Sequence, residues 1–439
     1  MLNIVYALKM QFKNRSKSLK RMFANPAWAL IAAFGTYFCM YGYRKPYTAA
    51  TYADTEYWGL TYKFGLIIAQ TTGYVLAKWI GIKFVSEIKP RQRIGAIIAL
   101  IGFAELMLLL FAFVPRPWNL VCMLLNGLPL GVIFGLVLSF LEGRKQTEFL
   151  IAGLCASFIL SDGISKSVGA MLLTWGVTEN WMPFIAGLVF MLPATLFITM
   201  LSCVPPPTIN DINMRSARDP MTVHDRMRFF NKYAPGLIAI IVVYLFVTLL
   251  RSVRADFAVE LWAGLGYKQT PDLFTTSELL VSFGVIAATS LAVFIRNHYK
   301  AFRFSLLTGF TGFFIVLLAV AGLHAGMGKF TFMVLVGLGV YLPYVAVHAV
   351  IFERLIAITR EKATVGFLMY VVDSVGYTGY IGLMLLRYFT HTIDSILSLF
   401  LKICILFAIA GMILMFFSYL YFKSKLKTYE PGNTAIPAG

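Results

Sequence analysis

Long apolar stretches alternate with short polar segments along almost the whole chain, from Pro26 to Phe422. Each stretch has about 18 residues or more, the length that an α-helix needs to cross a bilayer. A membrane β-barrel would show shorter segments of alternating polarity instead. The pattern therefore predicts an all-α polytopic membrane protein with twelve transmembrane helices, at residues 26–48, 62–84, 93–114, 117–141, 150–175, 181–203, 234–258, 275–296, 303–325, 328–353, 364–387 and 396–422.

The longest polar segment, residues 205–233, divides the predicted spans into six plus six. It begins with three prolines and is rich in Asp, Arg and Asn. We therefore expect a basic N-terminal segment at 1–25, six-helix bundles at 26–204 and 234–423, this central loop between them, and a tail at 424–439.

Two polar stripes occupy equivalent places in the first and seventh spans. They consist of Tyr37, Tyr41 and Arg44 in the first and of Tyr244, Thr248 and Arg251 in the seventh. Each residue precedes its counterpart by 207 positions, and helical spacing places each stripe on one face. The repeat predicts two pseudo-symmetric halves that share a cavity, which is typical of the major-facilitator fold.

The basic residues indicate orientation rather than a nucleic-acid partner, although the formal net charge is +18. Most of them lie in segments on the same side of the membrane as the N-terminus, and no nucleic-acid-binding module is evident. We expect a multi-pass protein of the cell inner membrane, with both termini in the cytoplasm and the lipid bilayer as its surroundings.

Charged side chains within apolar spans are candidates for a solute site, because a charge at the bilayer centre costs about 2.5–3.5 kcal/mol on insertion scales. The cationic candidates are Arg44, Arg251 and Lys78, and the arginine fork suits a phosphate or carboxylate. Each could instead lie at an interface, with its charged end in water. The same alternative is open for Lys45, Lys166, Arg254 and Glu260.

Further polar residues complete the predicted site. We expect neutral or titratable side chains on its wall at Tyr37, Tyr41, Tyr74, Tyr244, Thr248, His348 and Tyr377. Asp162, Asp256 and Asp373 are candidates for coupling or for salt bridges, and Asp256 could pair with a neighbouring arginine. A hydrogen-bonded core residue is the alternative for His348. The five cysteines show no metal-ligand spacing, so we expect no metal. We also expect no cofactor and no catalytic residue.

The segment Arg44-Lys45-Pro46-Tyr47 resembles the Arg-Lys-Asn-Phe motif of the organophosphate:phosphate antiporter branch of the major facilitator superfamily. Leu249-Leu250-Arg251, with Asp256 five residues later, is similar to that branch's seventh span. Lys78, twelve residues before Pro90-Arg91, resembles its second span and following loop. The resemblance implies that Arg44 and Arg251 grip the substrate from opposite halves, with Lys78 assisting.

The sequence departs from that branch at three places, one of them the acidic residue of the 2–3 loop signature, which is blurred into Ser86-Glu87. Pro46 stands at the family's asparagine, and Ser161 or Asp162 stands at its fifth-span histidine. We therefore expect a divergent member that moves a small anionic solute by alternating access, as an antiporter or coupled to protons, and that works as a monomer. The alternatives are a proton-coupled transporter of a neutral or cationic solute, a transporter-like sensor, and a membrane-embedded enzyme, for which no nucleophile or acid–base pair stands out.

Overall fold

A computed structural model describes residues 22–23, 25–52, 56–57, 60–141, 144, 147–206, 223–267, 271–295, 297–361, 363, 365–389 and 395–427. Its long helices, numbered in chain order, are α1 Pro26–Tyr41, α2 Tyr62–Glu87, α3 Arg93–Phe113, α4 Leu120–Leu138, α5 Thr147–Thr174, α6 Met182–Ser202, α7 Val223–Asp256, α8 Pro271–Phe294, α9 His298–His324, α10 Lys329–Thr359, α11 Val365–Phe389 and α12 Ile396–Lys425. A short helix, Ala258–Gly264, follows α7. A two-residue ladder between α1 and α2 pairs β1 Glu56–Tyr57 with β2 Leu60–Thr61.

Ten helices of the described part, α3 to α12, are long and apolar enough to cross a membrane. The prediction of an all-helical, multi-pass membrane protein is therefore confirmed. Helix α1 has 16 residues, and α2 carries the polar side chains of Lys63, Gln70 and Lys78 within its apolar sequence. Both coincide with the first two predicted spans, and the number of twelve spans stays a prediction.

Helix α1 ends at Tyr41 and not at residue 48, the predicted boundary. Asn25 caps its start by accepting a hydrogen bond from the Ala27 N–H. At its other end the Tyr43 N–H bonds to the carbonyl of Met40, three residues back, so the chain tightens into a turn. Pro46 then lacks the N–H that would continue an α-helix. Arg44 therefore lies in the turn beyond α1, not on the helix.

Two further helices differ from their predicted outlines. Residues 223–232, predicted as loop, form the first turns of α7, and the backbone breaks at Tyr233, two residues before Pro235. Helix α10 contains a π-turn at Val347–Ile351, which includes His348. The rest of the predicted central loop, at 207–222, and most of the predicted N-terminal segment and tail lie outside the described residues.

Helices α1–α6 pack mainly on one another, and so do α7–α12. The closest packing between the two groups is α2 against α11 and α5 against α8. If each helix corresponds to the one six places later, these two contacts are equivalent. Large apolar side chains such as Leu192, Phe113 and Ile413 point outward, while α4, α5 and α10 are mostly buried.

Helices α2 and α4 touch backbone to backbone. A Cβ atom at Gly127 would lie 2.1 Å from the Gln70 carbonyl oxygen, and one at Gly73 would lie 2.0 Å from the Leu124 carbonyl oxygen. Small residues at such crossings allow helices in membranes to approach closely. The contact holds α2, which carries Tyr74 and Lys78, against the rest of its group.

Contacts near helix ends define two ends of the molecule. At the proximal end, where α1 begins, the Trp28 indole N–H donates to the carbonyl of Met200 near the end of α6. At the distal end, where α1 finishes, Arg116 and Glu179 form an ion pair between the α3–α4 and α5–α6 connections. Proximal and distal denote these two ends and assign neither of them to a side of the membrane.

Candidate functional site

A small cavity lies between the two helix groups, about midway along α2 and α11. Its wall consists of Tyr37 and Tyr41 of α1, Tyr74 and Lys78 of α2, Phe134 of α4, Phe158 of α5, Tyr344 and His348 of α10, and Asp373 and Tyr377 of α11. All ten side chains are buried. The centre of a water-sized sphere can occupy about 10 Å³ of the cavity, which is room for about one water molecule. The conformation is therefore occluded.

Seven residues predicted from the sequence lie on this wall: Tyr37, Tyr41, Tyr74, Lys78, His348, Asp373 and Tyr377. The first polar stripe continues from the wall to Arg44 in the turn beyond α1. In the second stripe, Tyr244 bonds to the wall residue Asp373, and Arg251 bonds to the wall residue Tyr377. The Thr248 side chain is fully buried against Gly376, and its hydroxyl has no hydrogen-bond partner within the described structure.

Arg44 and Arg251 approach the same phenol ring from different helix groups. The guanidinium carbons lie 5.8 Å and 5.6 Å from the centre of the Tyr377 ring, respectively. Arg44 also lies 3.8 Å from the centre of the Tyr74 ring, and Arg251 donates to the Tyr377 hydroxyl at 2.7 Å. Both arginines are buried, with 5% and 6% of their surfaces exposed.

Neither of these two guanidinium groups forms an ion pair with a carboxylate in the part of the chain that the structure describes. One nitrogen of each, Nη1 of Arg44 and Nε of Arg251, is buried without a hydrogen-bond partner there. The other buried cations near the cavity and on its distal side each have an acidic partner; they are Lys45, Lys63, Lys78, Lys166 and Arg254. Arg44 and Arg251 thus differ from their neighbours in lacking a counter-charge.

Lys78 and Asp373 close the proximal side of the cavity with an ion pair between α2 and α11, at 2.8 Å. Lys78 contacts Oδ2 of Asp373. The other oxygen, Oδ1, accepts a hydrogen bond from the Tyr244 hydroxyl and lies 3.8 Å from His348 Nε2. The His348 ring stacks on Tyr344, with ring centres 4.5 Å apart. The histidine is therefore both packed in the core and part of the polar wall.

A second set of charges closes the distal side. Lys45 forms an ion pair with Asp256 and lies 4.0 Å from Asp162, which pairs with Lys166. Tyr380 of α11 donates to the other oxygen of Asp256 at 2.9 Å. Asp162 and Asp256 thus belong to this distal cluster and not to the cavity wall. The partner of Asp256 is Lys45 from the other helix group, not the neighbouring arginine that the sequence offered as an alternative.

The four residues whose position the sequence left open also lie at the distal side. Lys45, Lys166 and Arg254 are buried in ion pairs, so their charged ends do not reach an interface. The Glu260 side chain is 28% exposed and pairs with Lys63 at 2.6 Å across the two groups.

Several residues of this arrangement did not stand out in the sequence. Glu278 of α8 is buried and pairs with Arg254 at 2.6 Å. The sequence signal for Glu278 was an acid within an apolar span. Lys63, a basic residue at the start of α2, could have been found in the same way. Tyr344 precedes the predicted His348 by about one helical turn, and this spacing was a usable signal for its place on the cavity wall.

Groups of three or more His, Cys, Asp or Glu side chains that could hold a metal ion do not occur among the residues described. The wall carries tyrosine hydroxyls, His348 and the Lys78–Asp373 ion pair, and the guanidinium groups of Arg44 and Arg251 contact it through the Tyr377 ring. Hydroxyl and guanidinium donors of this kind can hold an anion by hydrogen bonds.

Residues 46–425 match the model of a protein family described as a family of unknown function, DUF5690. The match begins directly after Arg44 and Lys45 and covers the rest of the two helix groups. A comparison with curated proteins finds no match.

Proposed function

The chain belongs to the DUF5690 family, and from its geometry we propose that it is a secondary transporter that moves a small anionic solute by alternating access. One observation carries the proposal. Two buried arginines, one from each helix group, lie beside a central cavity with no carboxylate partner among the described residues. An anion between them would supply the missing counter-charge.

A buried charge without a partner is energetically costly. A buried ion that loses its partner destabilises a protein by about 3–5 kcal/mol, and polar groups inside a membrane are tolerated mainly where they face a cavity or ligand. The tyrosine faces offset part of this cost, because a cation over an aromatic ring gains about 0.5–2 kcal/mol. The guanidinium forks are also suited to two parallel hydrogen bonds with a phosphate or carboxylate.

Lys78 supplies a third positive charge that Asp373 holds in place. An anion that reaches Lys78 must compete with Asp373, which has Tyr244 and His348 as further partners. Binding can therefore weaken the α2–α11 ion pair at the proximal side. This gives the solute a physical means of favouring one conformation over another, since a ligand shifts an equilibrium only through a difference in affinity.

The packing of the helices supports alternating access. The two groups touch through equivalent helix pairs, and ion pairs between the groups lie on both sides of the cavity. Opening one side requires breaking only the pairs of that side. These contacts support our proposal of a major-facilitator fold with six spans in each half. The basic residues of the loops support the proposed cytoplasmic termini in an inner-membrane protein.

The substrate class follows from the size and charge of the site. We propose an organophosphate, or another small phosphate or carboxylate compound, moved by a monomer as an antiporter or with protons. Neutral and cationic solutes fit less well, because two positive charges without a carboxylate partner among the described residues lie beside the cavity.

Thermal unfolding of the purified protein with added anions tests binding. Inorganic phosphate, glycerol phosphate and succinate should be compared, because a ligand that binds only the folded state stabilises it by RT ln(1 + [L]/Kd). We expect at least one to raise Tm in the wild type, and Arg44→Ala and Arg251→Ala to abolish the rise. Arg303→Ala is the matched control, because Arg303 also contacts a tyrosine, Tyr419, but away from the cavity.

Flux measurements in proteoliposomes separate transport from sensing. Exchange of the stabilising anion that depends on both arginines supports the proposal. Binding without exchange would favour a sensor, and a wild type that none of the anions stabilises would remove the proposed substrate class.

A further inference from the structure

Glu105 is a membrane-embedded acid that the cavity does not use. It lies near the middle of α3, where its carboxyl group fills the space that Gly187 of α6 leaves open. A Cβ atom at Gly187 would lie only 2.0 Å from Glu105 Oε2. Both carboxyl oxygens are buried, and neither has a hydrogen-bond partner among the residues that the structure describes.

No cation lies within ion-pair distance of Glu105 in the part of the chain that the structure describes. Helices α4 and α6, which pack against α3, have no Lys, Arg, His, Asp or Glu in their sequences. The titratable groups on neighbouring elements are Cys122 of α4, Cys39 of α1 and Tyr43 in the turn beyond α1. Tyr43 interacts electrostatically with Glu105, and its hydroxyl is also buried without a hydrogen-bond partner.

The geometry favours the neutral acid over the carboxylate. An ionised carboxylate with neither a donor nor a cation is costly in an apolar environment, and an ionisable residue at this depth is by default a candidate for function. Asp373, Asp256 and Glu278 differ, because each has a cation within ion-pair distance. Glu105 is therefore suited to hold a proton.

Two side-chain amides connect Glu105 with the backbone of Arg44. The Asn126 amide of α4 donates to the carbonyls of Ala104, at 3.0 Å, and Tyr43, at 3.3 Å. Its oxygen accepts a hydrogen bond from Gln70 at 2.8 Å, and the same Gln70 nitrogen donates to the Arg44 carbonyl at 3.0 Å. The close contact of α2 with α4 holds the two amides together. A shift of Arg44 is thereby transmitted to the peptide that precedes Glu105.

We propose that Glu105 is the binding site of a coupling proton that moves together with the anion. This inference rests on the proposed transport function and adds its coupling ion. The occluded conformation holds the proton on the carboxyl group. When the molecule opens, the proton leaves the carboxyl oxygen for water, and the Gln70–Asn126 connection links this step to anion release at Arg44.

Labelling with dicyclohexylcarbodiimide tests the protonated carboxyl without requiring transport. This apolar reagent adds to protonated acids within membranes, and mass spectrometry locates the modified residue. We expect labelling of Glu105 at neutral pH, with Glu278 and Asp373 as unlabelled internal controls because they are paired with cations. Addition of inorganic phosphate should increase labelling, and Asn126→Leu should remove that increase. Labelling of all three acids alike, or of none, would contradict the proposal.

Transport by Glu105→Gln tests coupling in proteoliposomes with inorganic phosphate as the probe. We expect wild-type exchange at equal pH, but at least a tenfold loss of accumulation driven by a pH gradient. Glu179→Gln, an acid at the distal surface, should retain both activities. Accumulation by Glu105→Gln at the wild-type level would overturn the inference. A wild type that exchanges phosphate without responding to the pH gradient would also overturn the inference but would leave the proposed function standing. If the wild type does not exchange phosphate, that result counts against the proposed function. Carbodiimide labelling would still report on the protonation of Glu105 in that case.

Discussion

At the scale of single residues, Tyr377 contacts two positively charged guanidinium groups that would otherwise repel each other. Arg251 donates to its hydroxyl, while Arg44 lies over the faces of Tyr74 and, at a longer distance, Tyr377. The aromatic faces reduce the cost of burial but do not neutralise either charge. Neither charge has a carboxylate partner among the described residues, so an anion at this place would stabilise both.

Removing an arginine without a carboxylate partner should affect stability differently from removing Lys78, which is paired with Asp373. Without added anion, Arg251→Gln should leave Tm unchanged or raise it, because it removes an uncompensated charge. Lys78→Ala should lower stability by about 3–5 kcal/mol, because it leaves Asp373 without its cation. Thermal unfolding in detergent measures both. Equal destabilisation by the two variants would show that Arg251 has a structural counter-charge.

At the scale of elements, the position of α2 depends on two glycines that permit contact with α4. The carbonyl groups that they approach belong to backbone and cannot rotate away. Any added side-chain atom must therefore push the helices apart. Tyr74, Lys78 and Gln70 would move with α2, so both the cavity and the Gln70–Asn126 connection depend on this crossing.

Gly127→Ala should accordingly be destabilising. Its Cβ would lie 2.1 Å from the Gln70 carbonyl oxygen, and overpacking of this kind typically costs about 1–3 kcal/mol. Gly102→Ala in α3 is the control, because a Cβ there meets nothing within 4 Å and alanine favours the helix by up to about 1 kcal/mol. Chemical or thermal unfolding compares them. A neutral Gly127→Ala would mean that the helices separate easily at this point.

The sequence predicted elements better than contacts. The lengths of the apolar stretches located the helices, because a helix that crosses a bilayer must be apolar along its whole span. The end of α1 was misplaced, because the helical stripe of Tyr37, Tyr41 and Arg44 was extended past Tyr41, whereas local hydrogen bonds and Pro46 turn the chain there. Ion pairs such as Lys45–Asp256 and Arg254–Glu278 were not predicted, since periodicity shows which face a residue occupies but not which distant helix faces it.

At the scale of the whole molecule, the distal ion pairs join the two helix groups. Lys45–Asp256 and Lys63–Glu260 each contribute one residue from either group. Arg116–Glu179, by contrast, lies within the first group. Pairs of the first kind must break when the distal side opens, while the second kind is unaffected by that motion.

Glu260→Gln should therefore shift the population toward a distally open state. Spin labels at Trp118→Cys and Ala325→Cys, exposed positions in distal connections of the two groups, report the separation by pulsed electron resonance. We expect a longer distance component to grow in Glu260→Gln. Glu179→Gln is the matched control, because its side chain is similarly exposed, 32% against 28%, and should leave the distances unchanged. Identical distributions in both variants would contradict the assignment of the distal gate.

The occluded cavity also determines how well the protein insulates the membrane while it is empty. With room for about one water molecule, the cavity offers no continuous file of water through which ions could conduct. Two unpaired guanidinium groups add an electrostatic barrier against any cation that enters. A membrane densely filled with this protein should consequently keep its electrical resistance, and its sodium and potassium gradients should not dissipate through idle copies.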